Sequence, residues 1–218
     1  MAPHSNTSLI LLCSTSYDEI TCFLSRLLTG FSYSGKTVHH VQLEKPDVSY
    51  RNILADYQQG QEKVVLVFCG NAEEDALLTG LKQDCSDLND SLDEGVFYDS
   101  DYFDSGPTTL AAFSSYAGKY LGPAFAKATA GNFLGFCDEL WLFPDVSDEC
   151  NSWWHRILNR LIIRIVDDES IDEQTIDFVR SVYQEAYNYF CSEESGLAKE
   201  ALGMRMCLRQ NLSALCNY

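Results

Sequence analysis

Apolar positions along the chain follow two rhythms. Short unbroken runs, Leu-Ile-Leu-Leu-Cys at 9–13 and Val-Val-Leu-Val-Phe-Cys at 64–69, have the form of strands buried on both faces. The wider spacing at 17–28 puts Ile20, Phe23, Leu24 and Leu27 on one face of an amphipathic helix, opened by Ser16 or Asp18. Carried along the chain, the same reading predicts strands at 8–13, 37–43, 63–69, 110–113 and 132–136. Residues 139–143 form a sixth strand or an extension of the fifth, closed by Pro144. Helices are expected at 49–57 and 117–128, with a helical turn around 75–81, and Gly35 punctuates the approach to the second strand.

Beyond residue 148 the period is helical throughout. Trp153, Trp154, Ile157, Leu158, Leu161 and Ile165 recur at helical spacing over 151–166, behind Asp148 or Ser152 as a cap. A second helix spans 171–191 with Ile176, Val179, Val182, Tyr183, Ala186 and Tyr187 on its buried face. A third spans 197–215, weakened by Gly203. Strands alternating with helices, then helices alone, predict an α/β three-layer sandwich with a mostly parallel central sheet of about six strands. The chain reads as a single domain over 1–218, an α/β core at 8–148 with the C-terminal helices of 149–218 packed on or beside it.

The strands predicted at 63–69 and 110–113 are joined by a long acidic connection at 83–107, in which Val96 to Tyr98 pair briefly as a strand. Asp99, Asp101 and Asp104 in that stretch lack the glycine and terminal glutamate of a calcium-binding loop, so they read as a solvated surface and no metal is expected. A formal net charge of −17 opposes binding to nucleic acid or an anionic membrane; it suits a basic protein partner or a solvated acidic face. Nine cysteines, an odd number without a C-x-x-C pair, read as free thiols in a reducing cytoplasm. No secretory leader, membrane-length apolar run, Gly-x-x-x-x-Gly-Lys-Ser/Thr string or Gly-x-Gly-x-x-Gly string appears, and no cofactor is expected. Gly118 to Gly122 is too short for a phosphate cradle.

Candidate chemistry gathers where two strands stop on small polar residues, at Gly70-Asn71 and at Ser114-Ser115. In an open parallel sheet such strand ends deliver the functional groups. The strings Val-Leu-Val-Phe-Cys-Gly-Asn-Ala and Ala-Phe-Ser-Ser-Tyr-Ala-Gly-Lys-Tyr-Leu-Gly, with the later Asn-Phe-Leu-Gly-Phe, resemble the core of caspase-like cysteine peptidases, especially the CHAT and separase group. The resemblance covers residues 8–143 in element order, and its specific part is short. It implies a histidine in a glycine turn after the third strand and a cysteine after the fourth. Here Asn71 stands at the histidine position and Ser115 at the cysteine position, with Ser114 the alternative by one register. The same resemblance puts the oxyanion-binding backbone at Gly70 and Ala72, and a cleft for substrate or partner beside Asp99, Asp101 and Asp104.

Cysteine-peptidase chemistry needs a thiolate, an imidazole that moves its proton, and amide donors for the oxyanion. Asparagine moves no proton, and a serine hydroxyl without a base is a poor nucleophile. The expectation is therefore a caspase-like protein that is inactive as written and binds a protein partner or peptide. The alternatives are an active hydrolase using Ser115 with a distant base, a cysteine peptidase whose dyad has been replaced by engineering, and a flavodoxin-like module that binds a small molecule. His39 and His40 read as strand residues facing opposite sides, His155 as a helix residue and Cys69 as a buried thiol, and Cys137 sits beside Asp138 and Glu139, which oppose a thiolate. The aromatic residues Trp153, Trp154, Tyr183, Tyr187 and Tyr189 suit core packing, or a surface for homo- or hetero-oligomers.

Overall fold

A computed structural model of the chain describes residues 7–14, 19–28, 31–33, 38–43, 63–78, 95–98, 108–144, 146–192 and 198–218. Its elements in chain order are β1 (Thr7–Ser14), α1 (Glu19–Leu28), β2 (Val38–Leu43), β3 (Lys63–Cys69), β4 (Ala76–Leu78), β5 (Gly95–Tyr98), β6 (Thr108–Phe113), α2 (Leu121–Thr129), β7 (Asn132–Phe136), α3 (Asp148–Asp168), α4 (Glu173–Cys191), α5 (Ala198–Ala214) and β8 (Leu215–Asn217). The helix expected at 49–57 and the caps Ser16 and Asp18 lie outside the described residues.

The six-stranded sheet has the order β2-β1-β3-β6-β7-β8, parallel from β2 to β7, with β8 antiparallel at the edge. Burial on both faces explains the apolar runs. Leu9, Leu11, Val65, Val67, Ala111 and Phe113 face α1 and the C-terminal helices. Their neighbours Ile10, Leu12, Val64, Leu66, Phe68, Leu110 and Ala112 face Leu121 and Phe125 of α2, with Phe133 between. Strand order reverses between β1 and β3: β2 lies to one side of β1, and β6 and β7 follow β3 on the other. A right-handed crossover then requires helices on opposite faces, as α1 and α2 are.

The C-terminal helices pack on the sheet in the same core as α1. Trp153, Trp154 and Tyr183 are buried there, and Tyr187 and Tyr189 pack against them half-buried. Trp153 also stacks near Tyr189 at 4.9 Å between ring centroids. These aromatic residues therefore belong to the core. Gly203 serves close packing, since a methyl group there would meet the Phe143 ring at 2.6 Å.

Four local expectations are corrected. Ala76–Leu78, expected within a helical turn, is a buried strand paired antiparallel with β5, because three apolar residues gain more from a partner strand than from an isolated turn. The helix expected from 117 begins at Leu121; the residues before it form a turn in which Tyr116 adopts φ 62°. Helix α3 is capped by Ser147, whose hydroxyl accepts from Cys150 N, rather than by Asp148 or Ser152. Residues 139–143 are not a strand, and the sixth strand of the sheet is the C-terminal β8.

The last difference has a side-chain cause. Asn211, fully buried on α5, accepts from Trp141 N and donates to Trp141 O, each at 2.8 Å, and Leu140 N donates to the Ser115 hydroxyl at 3.0 Å. Backbone groups that a neighbouring strand would satisfy are taken by side chains instead. Asn211 also lies beside the buried Tyr183. Asn211→Leu is expected to lower stability by about 2–4 kcal/mol, since several polar partners lose their bonds at once. Equilibrium urea unfolding measures this, and a loss below about 0.5 kcal/mol, the size of a typical surface change, would contradict it.

Candidate functional site

Register carries the two small polar strand ends together. Cys69 lies beside Phe113 in the parallel β3–β6 pair, so Gly70 and Asn71 leave the sheet next to Ser114 and Ser115. The buried Ser114 hydroxyl donates to Gly70 O at 2.6 Å and ties the two ends. A buried carbonyl that loses such a donor costs about 1–3 kcal/mol. A surface hollow of about 140 Å³ opens there, lined by Gly70, Asn71, Ala72, Ser114 and Ser115. Its apolar wall is Ile20 and Leu24 from α1 and Leu140 from the segment after β7.

Each polar group at the hollow is held. The Asn71 side-chain oxygen accepts from the Thr21 hydroxyl at 2.9 Å, and Thr21 is buried on α1. Behind Asn71 the chain doubles back: Leu78 N donates to Asn71 O and Glu73 N to Ala76 O, both at 2.9 Å. The Ser115 oxygen accepts from Leu140 N. The turn after Ser115 is fastened to the strand beside it. Tyr116 N donates to Asp138 O at 3.1 Å, Gly118 N to Phe136 O at 2.9 Å, and the Tyr116 hydroxyl to Glu139 Oε1 at 3.1 Å. These contacts hold Tyr116 in a left-handed conformation that a bulky side chain seldom adopts.

The chemistry of the lining is limited by its residue types. It carries an amide, two hydroxyls and apolar surface, and no imidazole, carboxylate or thiol among the described residues. The amides of Tyr116 and Gly118 donate within the fold, toward Asp138 and Phe136. The arrangement can therefore bind an apolar group and orient it by hydrogen bonds, but among the described residues of its lining it holds no proton-transfer group beside Ser115.

The described histidines lie elsewhere. His39 and His40 belong to the edge strand β2, one half-buried and one exposed, with His40 Nε2 at 3.1 Å from Phe31 O, and His155 is exposed on α3. Cys69 is wholly buried, and desolvation pushes its thiol well above the ordinary range. Every described cysteine is a free thiol. Asp99, Asp101 and Asp104 lie outside the described residues, and no group of three side chains suited to a metal occurs among those described. No described helix is long and apolar enough to cross a membrane.

Three contributors to the hollow were not among the candidate residues read from sequence. Ile20 was expected on the buried face of α1 but is 40 % exposed, at the mouth. Leu24 lies one helical turn on, and Leu140 belongs to the segment expected to be a strand. Thr21, which holds Asn71, is likewise invisible without the packing of α1 on β3. No family model and no curated protein matches the chain.

The thiols beneath the strand ends give this region a pH signature. Cys13 lies opposite Cys69 in the β1–β3 register, and burial pushes its thiol up from 9.0 to about 11. An unfolded Cys13 ionises near 9.0 while the folded one keeps its proton to about 11. Stability from this residue is therefore full below the first value and lost as pH rises through the second. The urea midpoint is expected to fall across that interval, and to fall less steeply in Cys13→Ala; identical slopes would contradict the assignment.

Proposed function

We propose that the chain is a caspase-like protein of the CHAT and separase type that has lost peptidase chemistry and uses the hollow to bind a peptide segment of a protein partner. One observation carries the reading: Asn71 and Ser115, which the resemblance sets at the family's two catalytic positions, line one hollow at neighbouring strand ends, and neither can do the family's chemistry. The oxygen atoms of both side chains accept hydrogen bonds from the protein itself, from Thr21 and Leu140. An unreactive but ordered floor, with an apolar wall of Ile20, Leu24 and Leu140, suits one apolar side chain of an extended segment. The acidic balance of the chain favours a basic segment around that side chain.

Selection from a displayed random-peptide library, followed by fluorescence polarisation with the selected peptide, tests the proposal. Ile20→Glu, at the exposed mouth, is expected to weaken binding at least tenfold, about 1.4 kcal/mol. Leu202→Glu, on the exposed part of α5, is expected to leave it unchanged. The bound peptide is expected to stay intact on prolonged incubation. Equal affinity in Ile20→Glu would remove the hollow from the account, and peptide cleavage by the unaltered chain would overturn the loss of chemistry.

A further inference from the structure

Three pairs of thiols lie close together in the described structure. Cys13 and Cys69 are electrostatic neighbours, as are Cys150 and Cys207, and all four are buried. The third pair, Cys137 and Cys216, is only half-buried. Access therefore separates it from the other two.

The third pair joins the end of β7 to the edge strand β8. Gly135 lies opposite Cys216 in the antiparallel register, and Cys137 N donates to Ala214 O at 2.8 Å. Alternation along both strands puts Cys137 and Cys216 on the same face of the pair, diagonal to one another. Gly135 between them has no side chain to intervene. Both sulfurs rest against Gly118, where a methyl group would meet Cys216 Sγ at 2.0 Å and Cys137 Sγ at 3.2 Å. The Tyr218 hydroxyl lies 3.6 Å from Cys137 Sγ. A glycine at 118 is thus what leaves room for the pair to meet.

We propose that Cys137 and Cys216 are a site of reversible oxidation by hydroperoxide, closing to a disulfide that fastens β8 to β7 beside the Ser115 turn. The Cys137 sulfur attacks the peroxide first; the O–O bond breaks, the departing oxygen leaves with the Cys137 proton as water, and Cys137 becomes a sulfenic acid. The Cys216 sulfur then attacks the Cys137 sulfur, the S–O bond breaks, and a second water leaves with the Cys216 proton. Two thiols lose two electrons, and one peroxide becomes two waters. Burial pushes the Cys216 thiol up, which suits it to react second. Two sulfurs resting against the same glycine close by side-chain rotation and a small shift at the strand end, to a bonded length of about 2.05 Å. Gly118 N is anchored on Phe136 O, so the bridge forms against the same turn that carries Ser115.

The full-length protein is treated with limiting hydrogen peroxide, its remaining thiols are blocked with N-ethylmaleimide, and non-reducing digests are read by mass spectrometry. The expected result is a Cys137–Cys216 linked peptide that precedes every other disulfide and disappears with dithiothreitol. In Cys216→Ser the linkage is lost and dimedone labels Cys137 instead. Recovery of both residues as maleimide adducts while other cysteines oxidise would overturn the proposal. So would irreversible oxidation of Cys137 in the unaltered chain without any linked peptide.

Discussion

Two-sided burial of the adjacent strands β3 and β6 is the constraint on which the rest of the structure depends. Val64 to Cys69 and Leu110 to Phe113 have no solvent face, so each strand is apolar along its length. Polar chemistry can begin only where the strands leave the sheet. The parallel register brings both exits to the same edge, and the Ser114 to Gly70 bond closes the seam between them. The hollow, the hold of Thr21 on Asn71 and the turn after Ser115 all follow from that shared exit.

Around this edge the backbone is satisfied largely by side chains and neighbouring turns. Leu140 N finds the Ser115 oxygen, and Trp141 finds Asn211 from the far end of the chain. The segment after β7 is thereby kept out of the sheet and turned toward the hollow, which leaves the place next to β7 for β8. A strand at 139–143 would have closed the edge without supplying Leu140 as a wall. The C-terminal helix and the site are coupled through one buried asparagine.

Much of this was legible in the sequence wherever one physical signal dominated. The run at 63–69 matches β3 at both ends, and 132–136 matches β7, because β-branched and aromatic residues bounded by glycine and charge leave one reading. The strand ends at Gly70-Asn71 and Ser114-Ser115 were found for the same reason. Signals that depend on distant partners were not legible. Ala76–Leu78 is a strand only because β5 pairs with it, and residues 139–143 are not one because Ser115 and Asn211 occupy their backbone. Ile20 lines a hollow instead of the core, an outcome its own spacing does not set. The thiol pair at Cys137 and Cys216 is joined by an antiparallel pairing between residues far apart in the chain, which no local pattern announces.

The central claim is the proposal that positions 71 and 115, which line one hollow, stand where a catalytic dyad would stand. The most direct measurement is the pH profile of iodoacetamide alkylation at the thiol introduced by Ser115→Cys, with Asn71 in place and again with Asn71→His added. An imidazole within reach stabilises the thiolate, so the account predicts that the alkylation midpoint falls by at least about one pH unit in the double variant. Superimposable profiles from two folded variants would contradict it.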